Sequence, residues 1–452
     1  MHTPIVPGRH AQRPSHPARP FRVQRARARI PATMVALALA VQLLPARAAS
    51  DVELLHWWTS EGEARAVRTL EPMMAAQGIM LRMPSVSGGA DALAHTLRER
   101  LAARKAPDAV QMKATDLATW GDQGALASLD AFAKADGWDY KIPRQIAAQV
   151  QYRGKYVAIP VNVHRVNWLY INRALLQQVQ GRAPQTWTQF FQLAERLQKT
   201  GITPLAHGNQ PWQNLTLFET VVLGVGGVDL YLRALVHAEP GAIESPAMER
   251  ALQTFVALKP LTTKTARAAG ASQDWNAATA QVITGQAAMQ FMGDWAKGEF
   301  LAAQRVPEKD FLCASTPGAA SSYVYVVDSL AVFRRGANAE ATPEQVALAR
   351  AVTNVDFQAT FNLAKGSIPI TPGVDMTRFD ACAKESSAFF LAARLAQTLV
   401  PSVAHRMALG AGLHKTLEAR VDRLWNDPAY TAAQAQQDWA AQAHAVQTGS
   451  RR

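Results

Sequence analysis

Cysteine is scarce in this chain, which has 452 residues but only two cysteines, Cys313 and Cys382. Two cysteines are too few for a structural zinc site, and no histidines stand at metal-ligand spacing, so we expect no bound metal. An even pair of cysteines in an oxidising compartment favours a disulfide bond. Two buried free thiols are the alternative.

Acidic residues are absent from the first 48 residues, which contain eight arginines. This basic segment, the apolar stretch from Met34 to Leu44 and the small residues Ala46 and Ala48 form the pattern of a secretory signal peptide. We therefore predict a signal peptide over residues 1–48, cleavage after Ala48 and export to the periplasm. The apolar stretch is too short to anchor the mature chain in a bilayer.

Most of the net positive charge lies in this segment and would be removed by the predicted cleavage. The whole chain has a formal net charge of +12, and removal of the eight arginines lowers it to +4. Spread over roughly 400 residues, this charge is ordinary for a solvated surface, and we expect no nucleic-acid partner.

Common catalytic and cofactor motifs are also missing. The chain has no phosphate-binding loop ending in Lys-Ser or Lys-Thr, no His-Glu-x-x-His and no Gly-x-Ser-x-Gly. The glycine-rich run from Gly224 to Asp229 lacks dinucleotide-binding spacing, and we interpret it as a tight turn or a close helix contact. We expect no cofactor and no catalytic residues.

Short apolar strands alternate with amphipathic helices in the first part of the chain. Val52–Trp58, Leu81–Val86 and Ala109–Met112 have strand character, and segments 64–76 and 90–104 have helical periodicity. This alternation predicts an α/β protein with mostly parallel sheets. Because roughly 400 residues are too many for one core, we expect two domains.

The middle of the chain has a different pattern. Two extended runs, Tyr156–Val161 and Val166–Asn172, follow each other with few turn residues, which favours a crossing between the domains. Thr186 and Gln189 form a predicted capping box at the start of a helix. The region 202–310 is predicted to be mainly helical.

The most informative motif is Leu55–Glu63, in which Trp57 and Trp58 are followed by Glu61 and Glu63. An aromatic ring can stack on the C–H face of a sugar, and carboxylates can accept hydrogen bonds from its hydroxyls. The alternative is that both tryptophans only fill the core. Ligands of α/β sheets bind at the carboxyl ends of strands, which is where both tryptophans fall.

The chain resembles the periplasmic solute-binding proteins of sugar ABC transporters (extracellular solute-binding protein family 1), and most closely their glucose-binding members. The resemblance covers nearly the whole mature chain. It is carried by residues 55–60, 154–168, 204–208, 274–276, 292–297, 365–369 and 399–405.

This resemblance implies the two-lobed periplasmic-binding-protein fold (type II). Each lobe is then an α/β sheet flanked by helices, a multi-strand hinge joins the lobes, and the ligand binds in the cleft between them. The first lobe would contain residues 49–162 and about 325–366, and the second 163–324 and about 367–452. The family's disulfide would join Cys313 and Cys382.

The resemblance also implies a function and a site. The expected protein is a monomeric receptor that captures a monosaccharide, D-glucose, and delivers it to the permease subunits of an ABC importer. The expected ligand-binding residues are Trp57, Trp58, Glu63, Lys113, Trp275, Asn276, Trp295, Asp328, Lys365 and His405.

Several of these residues also have a simpler interpretation. Lys113 and Lys365 could be solvated surface lysines, and His405 could be structural. Asp294–Trp295 could be the start of a helix with a packing tryptophan. Asp328 interrupts an apolar strand, so its carboxylate needs either a partner or a ligand.

Other functions remain as alternatives. Glu63 and Asp328 could be the carboxylate pair of a periplasmic glycosidase or lyase. The protein could also be a chemosensory sugar receptor, or a receptor for another hexose or for an oligosaccharide.

Overall fold

The structure is a computed structural model, and it describes residues 50–264 and 271–449. The described residues belong to one compact unit that begins at Ala49. The predicted signal peptide, with its cleavage after Ala48, lies outside the described residues.

Twelve strands within the described residues form two main sheets and a small hairpin. The strands are β1 Ser50–Leu55, β2 Ile79–Arg82, β3 Ala109–Met112, β4 Gln151–Tyr152, β5 Lys155–Tyr156, β6 Ala158–Arg165, β7 Trp168–Asn172, β8 Thr203–Leu205, β9 Ala287–Phe291, β10 Phe311–Ser315, β11 Tyr323–Val332 and β12 Leu399–Pro401.

Helices connect and flank these strands, and they dominate the C-terminal part of the chain. The helices are α1 Glu61–Arg68, α2 Glu71–Ala75, α3 Gly89–Ala102, α4 Ala114–Asp122, α5 Asp130–Asp136, α6 Trp138–Lys141, α7 Arg144–Ala147, α8 Arg173–Gln178, α9 Trp187–Lys199, α10 Pro211–Leu230, α11 Pro240–Ile243, α12 Pro246–Leu258, α13 Trp275–Ile283, α14 Ala296–Ala302, α15 Pro343–Val352, α16 Val355–Lys365, α17 Ala381–Leu395, α18 Ala411–Asn426 and α19 Ala432–Gly449.

The first sheet has the strand order β12-β11-β3-β1-β2, and β6 also pairs with β11. β1 is parallel to β2 and β3, whereas β11 is antiparallel to both β3 and β6. The expectation of mostly parallel sheets is therefore wrong for the whole fold: β1 with β2 and β3, β11 with β12, and β8 with β9 are parallel pairs, whereas the other pairs are antiparallel. β11 reaches this sheet through an extended crossing instead of a helical crossover, so it enters from the opposite end and runs antiparallel.

The second sheet has the order β10-β7-β9-β8. Only Val166 and Asn167 separate β6 in the first sheet from β7 in the second, so the chain crosses between the sheets where the two extended runs predict it. A second crossing, residues 316–322, leads from β10 back to β11. β12 lies in the first sheet although its residues were assigned to the second lobe, and the lobe boundaries stay a prediction.

The helix predicted over residues 64–76 is two helices, α1 and α2. Ser60 caps α1 in a capping box with Glu63, so α1 begins three residues earlier than predicted. Pro72 lies in the first turn of α2, where a missing N–H is harmless, but it cannot continue a preceding helix.

The region 202–310 is mainly helical, as predicted, and it also contains the short strands β8 and β9, which pair in the second sheet. The Thr186 cap at the start of α9 is confirmed, since its side chain accepts a hydrogen bond from the Gln189 N–H. The Gln189 side chain, however, accepts from the N–H of Gln185 instead of closing a capping box with Thr186.

The glycine-rich run lies at the end of α10, and both predicted features are present. A Cβ atom on Gly224 would lie 2.3 Å from the carbonyl oxygen of Pro317, so only glycine allows this close helix contact. Gly227 has φ of +71° and interrupts the helix. α10 is apolar and long enough to cross a membrane, but most of it is buried within the protein, as in a core helix.

Cys313 on β10 and Cys382 on α17 form a disulfide bond with an S–S distance of 2.12 Å. The predicted pairing is confirmed, and the alternative of two free thiols is wrong. The bond fastens α17 to the edge strand of the second sheet.

We expect removal of this bond by a double Cys313→Ala, Cys382→Ala substitution to lower the free energy of unfolding by about 2–4 kcal/mol. The two cysteines are 69 residues apart, so the open chain gains much conformational freedom on unfolding. Denaturant unfolding with and without dithiothreitol measures the effect, and the double variant, which has no bond to reduce, is the control. Equal unfolding midpoints for the native chain with and without reductant would contradict the prediction.

Candidate ligand-binding site

Asp328 lies at the centre of a buried charged network on β11. Its carboxylate accepts hydrogen bonds from Lys113 Nζ at 2.6 Å and pairs with His164 Nε2 at 2.9 Å. Burial raises the pKa of Asp328, but the charges of Lys113, His164 and Lys365 outweigh this effect, and the pKa lies well below its usual range. The carboxylate is therefore ionised, and the surface interpretation of Lys113 is wrong.

Lys113 brings Trp57 into contact with this network. It directly follows β3 and precedes α4, and its Nζ lies 5.4 Å from the centroid of the Trp57 ring, within cation–π range. The N–H of Trp57 donates to Gln111 Oε1 at 3.1 Å, which fixes the loop after β1 against β3. The Trp57 side chain is only half-buried, so part of its surface remains accessible.

Glu63 and Lys365 form a second buried ion pair, with Lys365 Nζ 2.8 Å from Glu63 Oε1. Glu63 is positioned by the capping box of α1, and Lys365 is the last residue of α16, where the helix dipole favours a positive charge. Gly366 follows with φ of +91° and ends the helix. Lys365 is 3 % exposed, so its surface interpretation is also wrong.

His164 connects the two sheets. It lies on β6, and its two ring nitrogens contact the carboxylates of Asp328 on β11 and Asp294, which follows β9. Burial lowers the pKa of His164, but the two carboxylates outweigh this effect and the pKa is raised. Asp294 also accepts a hydrogen bond from the N–H of Arg165, next to the crossing between the two sheets. Its side chain does not cap a helix.

Trp295 and His405 pack edge-on against each other beside this network. The Trp295 ring lies 5.3 Å from the His164 ring and 4.9 Å from the His405 ring, centroid to centroid. Trp212, on the first turn of α10, contacts His405 from another side at 5.9 Å. Sequence reasoning missed Trp212, although the Gln210-Pro211-Trp212 run marks a helix start and could have indicated it.

His405 has one nitrogen without a partner. Its Nδ1 lies 2.9 Å from Ser402 Oγ, whereas its Nε2 is buried and has no hydrogen-bond partner among the described residues. Burial, followed by the charges of Lys113 and His164, lowers the pKa of His405 well below its usual range, so the ring is neutral. Since buried polar groups almost always have partners, this nitrogen is a natural ligand contact.

Glu219 on α10 holds the loop that carries His405. This carboxylate is fully buried and accepts from Ser402 Oγ at 2.6 Å, Tyr231 Oη at 2.7 Å and the N–H of Val403 at 2.7 Å. Burial raises its pKa to about 7. Sequence reasoning did not find Glu219, because an acid inside an apolar helix gives no signal of what it contacts.

Three of the predicted site residues lie outside this network. Trp58 is 2 % exposed and packs against His56 and Phe361, so its ring has no free face for stacking. Trp275 and Asn276 begin α13, and no hydrogen bond or ring contact joins them to the network among the described residues. The structure therefore brings together seven of the predicted residues: Trp57, Glu63, Lys113, Trp295, Asp328, Lys365 and His405.

In residues 50–264 and 271–449, no group of histidine, cysteine and acidic side chains is arranged to hold a metal ion. The network pairs its own charges, and it offers ring faces and mixed donors and acceptors. Such a set suits a neutral, hydroxyl-rich molecule better than an ion.

The family model and the relatives found by comparison with known proteins agree on one protein family. A family model described as bacterial extracellular solute-binding protein matches residues 85–359. A Rhizobium meliloti (strain 1021) protein named "Probable sugar-binding periplasmic protein" is 39% identical, covering 87% of this chain and 94% of its own. A protein with the same name from Brucella melitensis biotype 1 is 39% identical, covering 83% and 88%.

The fold is similar to that of the bacterial solute receptor AcbH, which has an exclusive substrate preference for β-D-galactopyranose. The TM-score is 0.74 at 16% identity, covering 88% of this chain and 99% of that one. This likeness confirms the predicted two-lobed α/β fold with sheets flanked by helices.

We expect Glu219→Gln to abolish a pH dependence of stability. The pKa of Glu219 is raised from its ordinary value of 4.5 to about 7, so folding retains a proton that the unfolded chain releases. This contribution is fully present below pH 4.5 and is lost as the pH rises through about 7. Glutamine imitates the protonated acid, so the variant should be about 3 kcal/mol more stable than the native chain at pH 8 and equal to it at pH 4.5.

The free energy of unfolding, measured by denaturant titration from pH 4.5 to 8, tests this expectation. Glu71→Gln, at an exposed carboxylate, is the matched control and should leave the native pH profile unchanged. Parallel profiles for the native chain and Glu219→Gln would show that Glu219 does not titrate in this range.

Proposed function

Because the chain belongs to the bacterial extracellular solute-binding proteins, we propose that it is a periplasmic receptor for a hexose, with D-glucose as the preferred ligand. The receptor delivers the sugar to the membrane subunits of an ABC-type importer. It works as a monomer that closes around one sugar.

The open hydrogen-bonding position on His405 supports this proposal most strongly. When Glu219 is ionised, Ser402 donates its only hydroxyl hydrogen to that carboxylate, so His405 Nδ1 donates to Ser402 Oγ. The neutral Nε2 is then a buried acceptor. A sugar hydroxyl satisfies it, and a ligand without a hydroxyl at that position leaves it unpaired.

The aromatic and charged groups supply the remaining contacts. Trp57 offers an accessible ring for the C–H face of the sugar, and Trp295 closes the site from the other side. The Lys113–Asp328 and Glu63–Lys365 pairs present donors and acceptors together, and each sugar hydroxyl needs both.

The remaining predicted contacts have less support. Trp58 supports the loop from inside the core, since its ring is buried. Trp275 is half-buried at the start of α13, and it reaches the sugar together with Asn276 only if the lobes close further than in this structure.

A binding role fits the ionisation of the network better than a hydrolytic role. A glycosidase needs one carboxylic acid whose pKa is raised so that it can protonate the leaving group. The pKa of Asp328 is shifted in the opposite direction, and Glu63 is already paired with Lys365. The family, too, consists of solute-binding proteins and not of enzymes.

Calorimetric titration of residues 49–452 with D-glucose, D-galactose and D-mannose tests the proposal. We expect one-to-one binding that is tightest for glucose. His405→Phe should weaken it by about 10-fold to 100-fold, because a hydrogen bond in a desolvated site is lost. Trp57→Ala should have a similar effect, because the stacking surface is removed.

Tyr140→Ala is the matched aromatic control, since Tyr140 is 96 % exposed and lies on α6, which carries no residue of the network. If galactose binds tightly and glucose does not, the proposed receptor function stands and galactose replaces glucose as its proposed ligand. No heat with any of the three hexoses would overturn the proposed function.

A further inference from the structure

One hydroxyl group joins His405 to the buried carboxylate of Glu219. Ser402 Oγ lies 2.6 Å from Glu219 Oε1 and 2.9 Å from His405 Nδ1. The direct distance between Glu219 Oε1 and His405 Nδ1 is 3.9 Å, which is too long for a hydrogen bond. A change in the protonation of Glu219 therefore reaches the hydrogen bonds of the imidazole through Ser402.

The two oxygens of the Glu219 carboxylate have different surroundings. Oε2 accepts from the N–H of Val403 at 2.7 Å, the N–H of Ala404 at 3.1 Å and the hydroxyl of Tyr231 at 2.7 Å. Backbone N–H groups donate and cannot accept, so Oε2 must remain an acceptor. A proton taken up by Glu219 is therefore bound to Oε1, which faces the Ser402 hydroxyl.

The Ser402 hydroxyl has one hydrogen to donate and room for two hydrogen bonds that it accepts. One of these comes from the backbone N–H of His405 at 3.2 Å. When Glu219 is ionised, the hydroxyl donates to the carboxylate and accepts from Nδ1–H, so His405 Nε2 is an acceptor. When Glu219 is protonated, its Oε1–H donates to Ser402 and the Ser402 hydroxyl donates to Nδ1. The neutral ring then carries its hydrogen on Nε2.

The His405 ring responds by changing the position of this hydrogen, because its orientation is fixed by its neighbours. Trp212 and Trp295 contact the ring edge-on, with centroids 5.9 Å and 4.9 Å away. Burial lowers the pKa of His405 well below its usual range, so the ring stays neutral. In the whole change, Glu219 gains one proton from solvent, and the ring loses a proton from Nδ1 and gains one at Nε2.

We propose that Glu219, acting through Ser402, determines whether His405 Nε2 accepts or donates a hydrogen bond at the sugar site. The ligand part of this proposal rests on the proposed hexose-binding function. With ionised Glu219, Nε2 accepts from a sugar hydroxyl, and the negative charge at the other end of the chain strengthens this hydrogen bond. With protonated Glu219, Nε2–H donates, and a group that only accepts can replace the hydroxyl. Glu219 is thus a positioning residue that sets selectivity without touching the ligand.

Both states of Glu219 are populated near neutral pH. Burial raises the pKa of Glu219 to about 7, so its carboxyl group is mostly protonated at pH 5.5 and mostly ionised at pH 8.5. Because the ionised state gives the stronger acceptor, we expect hexose affinity to increase as the pH rises through about 7.

Other titratable groups surround this chain of hydrogen bonds. The charged and titratable groups near Glu219 and His405 are Lys113, His164, Tyr231, Asp328, Arg406, His414, Glu418 and Asp422. Burial raises the pKa of Tyr231 well above its usual range and lowers that of His414 to about 4, so neither titrates between pH 5.5 and 8.5. Burial raises the pKa of Glu418 on α18 to about 7, but Glu418 makes no hydrogen bond to Ser402 or His405 among the described residues. Glu418→Gln is therefore the matched control.

Nitrogen-15 NMR of residues 49–452 with labelled histidine tests this chain without any ligand. The chemical shift separates a protonated ring nitrogen from an unprotonated one, and loss of a resonance in His405→Phe assigns the signals. We expect the His405 hydrogen on Nδ1 at pH 8.5 and on Nε2 at pH 5.5. Glu219→Gln should keep it on Nε2 at both pH values, because the amide oxygen replaces Oε2 and the NH₂ group donates to Ser402. Glu418→Gln should behave like the native chain.

Fluorinated sugars measure the consequence for selectivity, because a fluorine atom has no hydrogen to donate. We expect one of the 2-, 3-, 4- and 6-deoxyfluoro analogues of D-glucose to bind the native chain about tenfold or more weakly than glucose at pH 8.5. This ratio should fall to within about threefold at pH 5.5, and it should be equally small for Glu219→Gln at both pH values. Calorimetric titration gives each ratio, in which a general effect of pH on the site cancels.

The outcomes separate this inference from the function on which it rests. A His405 hydrogen that stays on one nitrogen from pH 5.5 to 8.5 overturns the proposal, and so does a Glu219→Gln variant that still switches. Ser402→Ala removes the joining hydroxyl and should also abolish the switch, so it repeats the test if Glu219→Gln fails to fold. A switch without a pH-dependent ratio for any analogue overturns the effect on selectivity. An intact switch without binding of any hexose overturns the proposed function and keeps the coupling of Glu219 to His405.

Discussion

The contact of one imidazole with two carboxylates determines much of this structure. His164 lies between Asp328 of the first sheet and Asp294 at the end of a strand of the second. Removing Asp328 would leave the buried Lys113 ammonium without its carboxylate partner, which costs about 3–5 kcal/mol. His164 therefore joins the two sheets at this point.

The same contact places the groups around it. Trp295 packs edge-on against the His164 ring, and Lys113 is drawn to the Asp328 carboxylate. Lys113 in turn lies against Trp57. One electrostatic arrangement thus contacts two tryptophans, one that follows a strand of the first sheet and one that follows a strand of the second.

Much of the fold was predictable from short-range patterns. Ala109–Met112 is a strand as predicted, and the crossing after residue 165 follows from two consecutive extended runs. Seven residues of the network were expected from the resemblance to the solute-binding family, and of these only Asp328 also followed from a physical argument, because a carboxylate inside an apolar strand needs a partner. The pair Trp57 and Trp58 shows the limit: both follow the end of β1, and only the packing of Trp58 against His56 and Phe361 shows which ring is buried.

What could not be predicted depends on long-range contacts. Glu219 accepts a hydrogen bond from Ser402 in the loop of His405, and Glu219 and His405 are 186 positions apart in the sequence. Arg406 pairs with Asp91 on α3, more than 300 positions earlier. Neither contact is indicated by hydrophobic periodicity or by a helix-capping pattern. The antiparallel direction of β11 was missed for a related reason. Strand direction depends on how the chain returns to the sheet, and composition does not record that path.

The central position of β11 also sets an order of assembly. Its residues pair with β3, β6 and β12, and Ser329 bonds to Met112, 217 positions earlier. Contacts of such large sequence separation form slowly, since the loop between them must close first. As the chain lengthens, β1, β2 and β3 can associate early, but Lys113 cannot meet Asp328 until most of the polypeptide has emerged. A fragment that ends before residue 323 would contain an α/β core with an open sheet edge and would lack Asp328, Lys365 and His405 of the network.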